Sequence, residues 1–253
     1  MRNLYDEIKI GSDWEKERTD EFPSSVEWKN EVIRWLNFIY SEGQFDKFKP
    51  RLRSKGRQRD ETFAEIASAY YLCKKLNFQI NDWEPPGANN TLGEFYVTNK
   101  TGIKVFCEVK SPGWEAAIYR ENKNITRIKQ QKFIGVECRS FDNSIDIKYL
   151  IEKYYPKFPK TEPSLLIIVD DFHASNNSDN YFGVKKALFR QKLPPSHVDN
   201  VPEGAFVNNR FKNLSSVACL NYQLPCKSNI VTYHWKVFEN PFARNKLQST
   251  VFN

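Results

Sequence analysis

The sequence predicts an α/β fold: a mixed central sheet flanked by helices, with an N-terminal helical extension. Three observations predict it. Leu165 to Val169 (LLIIV) is a continuous apolar run, as expected of a strand covered on both faces. Leu92 to Pro112 (LGEFYVTNKTGIKVFCEVKSP) reads as two short strands joined by the turn Asn99 to Gly102. Several segments carry apolar residues at helical spacing and surround these strands in sequence.

In chain order, residues 1 to 23 form a polar lead-in. A helix begins near Ser24, where Ser24-x-x-Glu27 resembles a capping box, and Gly43 closes it. Trp28, Val32, Trp35, Leu36 and Ile39 give that helix one apolar face. From Lys47 to Arg59 every second residue is basic: Lys47, Lys49, Arg51, Arg53, Lys55, Arg57 and Arg59. Pro50 and Gly56 argue against regular structure, and an extended segment would place all seven on one side, facing phosphates. The plainer reading is a solvated loop.

A second helix is expected from about Asp60 to Leu76. Ala69, Leu72 and Leu76 lie at i+4, i+7 and i+11 from Glu65, which puts that carboxylate on the stripe facing the sheet. A carboxylate there is costly unless paired or bound to metal. Pairing with a lysine or arginine at the rim is the ordinary outcome. Glu61 shares the face nearer the solvated end. Phe78 to Ile80 is a short strand candidate, followed by a loop from Asp82 to Thr91. Beyond the central strand pair come a basic helix, Asn124 to Phe133, and a further helix, Ile145 to Tyr155. After the apolar strand follow a polar loop (Ala174 to Asn180), a short helix (Gly183 to Gln191) and a proline-rich loop to Pro202. Val217 to Tyr222 and Ile230 to Phe238 are expected to pair as a hairpin. The parsing is residues 1–59 as a helical and basic extension and 60–253 as one domain, together forming one compact unit.

Composition narrows the function classes. A net charge of +7 favours an anionic partner, with nucleic acid preferred to a membrane surface because no basic amphipathic helix stands out. The opening residues lack the apolar core of a signal peptide, and no run reaches about 18 apolar residues. Cys73, Cys107, Cys138, Cys219 and Cys226 are scattered without a CxxC, which fits reduced thiols in a cytoplasmic protein. The three histidines are isolated, against a zinc site of the usual spacing. There is no P-loop, GxGxxG, GxSxG or HExxH.

Strand alternation places Val105, Cys107 and Val109 on one face of the central strand and Phe106, Glu108 and Lys110 on the other. Glu-x-Lys also occurs at Glu7, Glu27 and Glu121, so the tripeptide by itself says little. Only Glu108-x-Lys110 ends an apolar strand, follows a strand opened by an acid (Glu94), and lies downstream of a helix with an inward acid (Glu65). Two carboxylates able to share a divalent metal beside an ammonium group suit phosphodiester hydrolysis.

In this order of elements the chain resembles the PD-(D/E)xK phosphodiesterase superfamily, over about Asp60 to Phe133 and in outline at Leu165 to Val169. The resemblance implies a restriction-endonuclease-like fold and a metal-dependent nuclease, acting on DNA. Glu65 would be the helix acid, Glu94 the strand acid, and Glu108 with Lys110 the (D/E)xK element. Gly93-Glu94 stands where the family has a Pro-Asp pair, so the acid is one methylene longer. Glu94, Glu108 and the Val109 carbonyl would hold Mg²⁺ or Mn²⁺, with Glu65 completing the set directly or through water. Lys110 would orient the attacking water or offset charge on the phosphate. Gln130 or Gln131 would support the site. Arg51, Arg53, Lys55, Arg57 and Arg59 would meet the nucleic-acid backbone, and Trp114 or Tyr119 could stack on single strands. A homodimer is compatible with the sequence. The rival expectation is a nucleic-acid-binding protein on the same fold that has lost catalysis.

Overall fold

The computed structural model describes residues 3–9, 25–54, 57–111, 144–170, 181–190, 203–223 and 231–252. The expected basic helix 124–133 with Gln130 and Gln131 lies outside the described residues. So do Ser24, Lys55, Trp114, Tyr119, Cys138, Cys226 and the loops 174–180 and 191–200.

Six strands form one sheet, ordered as they occur in the chain: β1 (Gln79–Trp83), β2 (Phe95–Thr98), β3 (Lys104–Lys110), β4 (Ser164–Asp170), β5 (Ser216–Gln223) and β6 (Thr232–Glu239). β1, β2 and β3 run antiparallel to one another, β3, β4 and β5 are parallel, and β6 returns antiparallel to β5. The sheet is mixed, and its parallel centre is the continuous apolar run of β4. The late strands pair as the expected hairpin.

Alternation along each strand divides the core into two layers. Phe95, Val97, Val105, Cys107, Val109, Leu165, Ile167 and Val169 pack toward the N-terminal helices. Those helices are α1 (Leu4–Ile8), α2 (Ser25–Ser41), α3 (Phe45–Leu52) and α4 (Arg57–Lys74). Tyr96, Phe106, Leu166, Ile168, Val217 and Cys219 face the other side, where α5 (Ser144–Tyr154) and α6 (Phe182–Phe189) lie. The architecture is helix–sheet–helix. Among the described residues no helix is long and apolar enough to cross a membrane.

The described part of residues 1–59 belongs to the main core. Leu4, Tyr5 and Ile8 of α1 share one buried cluster with Trp35, Leu36 and Ile39 of α2, Phe45, Phe48 and Leu52 of α3, and the sheet. α2 ends before Gly43, whose φ of 70° lies in the left-handed region that glycine adopts without cost.

The basic run corrects one expectation. It is not extended. Phe45, Phe48 and Leu52 recur at helical spacing and are all buried, so α3 forms and winds the alternating cations around a helix. Burial of three large apolar side chains outweighs the period-2 pattern of the charges. Pro50 is accommodated inside α3, and α4 begins at Arg57 rather than Asp60. The cations mostly meet internal acids. Lys47 lies 2.9 Å from Glu84, Lys49 2.6 Å from Glu7, and Arg57 2.7 Å from Glu61. Arg53 donates twice to the Glu7 carbonyl, at 2.9 and 2.6 Å, and Arg51 pairs with Glu65. Arg59 is half-buried on α4.

Candidate active site at the ends of β2 and β3

β3 carries Glu108 as its fifth residue and Lys110 as its last. Glu108 lies on the Phe106 face and is completely buried, whereas Lys110, one pleat further on, reaches the strand end with its side chain 14% exposed. Glu94 immediately precedes β2. Its amide donates to the Cys107 carbonyl at 3.0 Å, and its own carbonyl accepts from the Glu84 amide at 2.9 Å. These two bonds fix the Glu94 backbone between β1 and β3.

Gly93 is required for this approach. A Cβ built on it would lie 2.4 Å from Cζ of Phe106. The Phe106 ring therefore packs directly over the glycine Cα, where a proline or any larger residue would collide with it. The residue before Glu94 is thus confined to glycine by the Phe106 ring.

The charges converge on Lys110. Its ammonium stands 2.8 Å from Glu94 Oε1 and 2.9 Å from Glu108 Oε1. Glu108 Oε1 also accepts from Lys157 at 2.7 Å. Lys157 lies in the 3-10 turn Tyr155–Lys157 that follows α5, and it donates as well to the Leu92 carbonyl at 3.0 Å. One oxygen of Glu108 therefore serves two ammonium groups. The other, Oε2, is buried and has no hydrogen-bond donor among the described residues. Both lysines also face the ring of Tyr154, Lys110 at 4.6 Å and Lys157 at 5.5 Å from its centroid.

Glu65 reaches the site from the opposite layer. It is buried on α4, as its apolar stripe predicts, and is bound by Arg51 of α3. Glu61, one turn earlier, is held by Arg57. The sheet lies between α4 and the layer from which Lys157 reaches Glu108. Glu94 and Lys110, at the strand ends, act electrostatically on both Glu65 and Glu108.

Protonation follows from burial set against these partners. Burial, reinforced by the Glu94 charge, pushes Glu65 up to about 8 even though Arg51 and Lys110 oppose it. Arg51 itself stays charged, because Glu65 and the nearby Glu94 and Glu84 outweigh the effect of its burial. Burial also raises Glu108, against the pull of Lys110 and Lys157. Burial alone would lower Lys110, but Glu94 and Glu108 outweigh it and hold the ammonium above its ordinary range. Lys110 is therefore a permanent cation near neutral pH. It is suited to stabilising negative charge and unsuited to accepting a proton. Burial likewise pushes the Cys73 thiol up to about 12 and Cys107 well above its ordinary value, so neither offers a ready thiolate.

The donor set can be tested against a divalent ion. Glu94 and Glu108 already share one cation, Lys110, and Glu108 Oε2 is a buried acceptor without a donor among the described residues. Two hard carboxylates so placed fit a divalent cation in donor type. Glu65, held by Arg51, does not join them as a third ligand. Among the described residues no group of three acids, histidines or cysteines gathers closely enough to hold a metal ion.

The structure brings Glu94, Glu108 and Lys110 together, and Glu65 lies in the opposite layer within electrostatic reach of Glu94 and Lys110. It draws Arg51 into the cluster as a partner of Glu65 and leaves Arg53 and Arg57 on other acceptors. Two residues escape sequence reasoning, Lys157 and Tyr154. Helical spacing places Tyr154 only on the apolar face of its helix, and no local pattern marks Lys157, which reaches Glu108 from the turn after α5.

No protein-family model matches the chain, and no curated protein matches it. A solved structure of SfsA from Pyrococcus furiosus, in complex with Ca²⁺, is similar at 13% identity with a TM-score of 0.27. The match covers 69% of this chain and 61% of that one, so this chain spans less than two thirds of its neighbour's length. A likeness that loose bears on neither fold detail nor activity.

Proposed function

We propose that this protein is a metal-dependent nuclease of the PD-(D/E)xK type, on a restriction-endonuclease-like fold, hydrolysing phosphodiester bonds of DNA. One observation carries the reading. The acid before β2 and the acid and lysine ending β3 meet at a single ammonium, 2.8 and 2.9 Å away, with the buried helix acid Glu65 acting on the same cluster. Glu94, Glu108 and the Val109 carbonyl would hold Mg²⁺ or Mn²⁺, which when bound supplies Lewis-acid polarisation of a phosphoryl oxygen and a more acidic water. Lys110 stabilises negative charge developing on the phosphate. Lys157 fixes Oε1 of Glu108, so Oε2 is the oxygen left to accept a new partner. Arg51 holds Glu65 and keeps a second buried carboxylate from opposing Glu94 unscreened.

A second reading has its own support. Each of the three carboxylates already has a cation, and Glu65 is engaged by Arg51, which suits a nucleic-acid-binding protein that no longer uses metal. Cleavage of single- and double-stranded DNA and RNA with Mg²⁺ or Mn²⁺ separates the two. The nuclease reading expects wild-type cleavage that Lys110→Ala and Glu108→Ala abolish. Cleavage unchanged in both variants would remove these residues from the site. Salt-sensitive binding without cleavage on any substrate would establish the binding protein instead.

A further inference from the structure

The basic run 47–59 mostly faces internal acids, so the cationic surface of the site must be sought elsewhere. It lies around Tyr154, the half-buried last residue of α5. Three ammonium groups approach that one ring: Lys110 at 4.6 Å, Lys153 at 5.3 Å and Lys157 at 5.5 Å from its centroid. Among the described residues the carboxylates touching these lysines are Glu94 and Glu108. Three cations against two anions among the described residues leave a positive surplus beside the candidate active site. Like charges held this close repel unless further anions lie among them. Lys153 is exposed and carries that surplus outward from the buried pair.

Lys157 is also held rigidly. Lys157 is fixed at both Glu108 Oε1 and the Leu92 carbonyl. Its turn is tied to the loop before Glu94 by Asn89, which donates to the Pro156 carbonyl at 2.9 Å. Gly87 packs so tightly against this turn that a Cβ there would lie 2.7 Å from the Lys157 carbonyl oxygen. A cation already immobilised loses little further freedom when it meets a phosphate.

We infer that Lys153 and Lys157, gathered around Tyr154, form a phosphate seat that takes the backbone of a nucleic acid on the α5 side of Glu94 and Glu108. The inference rests on the nuclease reading for bringing substrate to those carboxylates, and it assigns binding to residues outside the Glu-x-Lys element. The cation–π contacts hold the ammonium groups around one ring, so the seat reads charge and not base identity.

The test is binding of fluorescently labelled duplex DNA to the full chain in EDTA, followed by anisotropy across about 50 to about 200 mM KCl. Lys153→Gln, Lys157→Gln and the double variant are compared with wild type, with Lys100→Gln in the exposed β2–β3 turn as control. Each seat variant is expected to reduce the slope of log K against log salt by about 0.9, and the double variant by about twice that. Lys153 is exposed, so Lys153→Gln keeps the test informative if Lys157→Gln folds poorly, and Lys157→Arg should retain the wild-type slope. A double variant with the wild-type slope, a control that shifts as much as the seat variants, or a wild type that does not bind DNA overturns the seat. Cleavage activity with an unchanged slope would retain the nuclease and discard the seat. Reduced slopes in a protein that cleaves nothing would retain the seat and discard the nuclease.

Discussion

Lys157 donates to Glu108 at 2.7 Å across 49 positions of sequence, and Lys110 meets the same oxygen at 2.9 Å from the end of the same strand. A carboxylate with no exposed surface is thus held by one local and one distant cation. Removing one partner of a buried pair leaves charge uncompensated. Lys110→Met is therefore expected to cost roughly 3 kcal/mol of stability. Adding Glu108→Gln should recover much of that loss, because Gln carries no charge into the buried position. Urea unfolding of the two single variants and the double variant measures the coupling. Additive effects would mean that the pair contributes no net stability.

Gly93 and Phe106 make a steric prediction. Gly93→Ala places a methyl group into the Phe106 ring, and overpacking of this kind costs about 1–3 kcal/mol. Combining Gly93→Ala with Phe106→Leu removes the ring and should make the added methyl much less damaging. Thermal unfolding of the three variants decides it, and an alanine tolerated beside the intact ring would contradict the packing described.

Glu65 predicts a pH dependence. Its folded value, about 8, lies above the ordinary 4.5, so the folded state holds a proton that the unfolded state releases between those values. Stability from this group is therefore present below about pH 4.5 and declines as pH rises toward 8. In EDTA, wild type is expected to lose thermal stability from pH 5 to 8 more steeply than Glu65→Gln, which cannot release that proton. Parallel profiles for the two proteins would show that Glu65 titrates normally.

A third buried carboxylate lies between α2 and β6. Glu31 of α2 accepts from the Tyr233 hydroxyl and pairs with Arg34, while Trp35 Nε1 donates to the same hydroxyl at 2.8 Å. Tyr233 stays protonated, since burial and the Glu31 charge both raise it. Tyr233→Phe deprives both Glu31 and Trp35 of a partner and is expected to cost about 1–3 kcal/mol. DNA binding should be unaffected. A Tyr233→Phe variant as stable as wild type in urea would show that the network is replaceable by water.

The α/β class was legible because β4 is too continuously apolar to face water on either side, and because β2 and β3 carry strand chemistry around a clear turn. Glu65 on an inward helix face was legible from its spacing to Ala69 and Leu72. The state of the basic run was not. Its charge alternation is a conspicuous local pattern, yet Phe45, Phe48 and Leu52 decide the structure because their burial outweighs the placement of solvated cations. Contacts such as Arg51 with Glu65, or Lys157 with Glu108, join separate elements and leave no trace in local periodicity.

The sequence by itself determined most of the elements and, within them, which face each side chain takes. Backbone periodicity of 2 or 3.6 residues and the drive to bury apolar surface act locally, and both are written in residue order. Tertiary structure alone decided which charges meet. It set Lys110 between Glu94 and Glu108, brought Tyr154 from the end of α5 and Lys157 from the turn beyond it, and turned the basic run toward internal acids. The physical reason is that a buried charge is tolerable only with a partner, and the partner is whichever group the packed layers bring within hydrogen-bond reach.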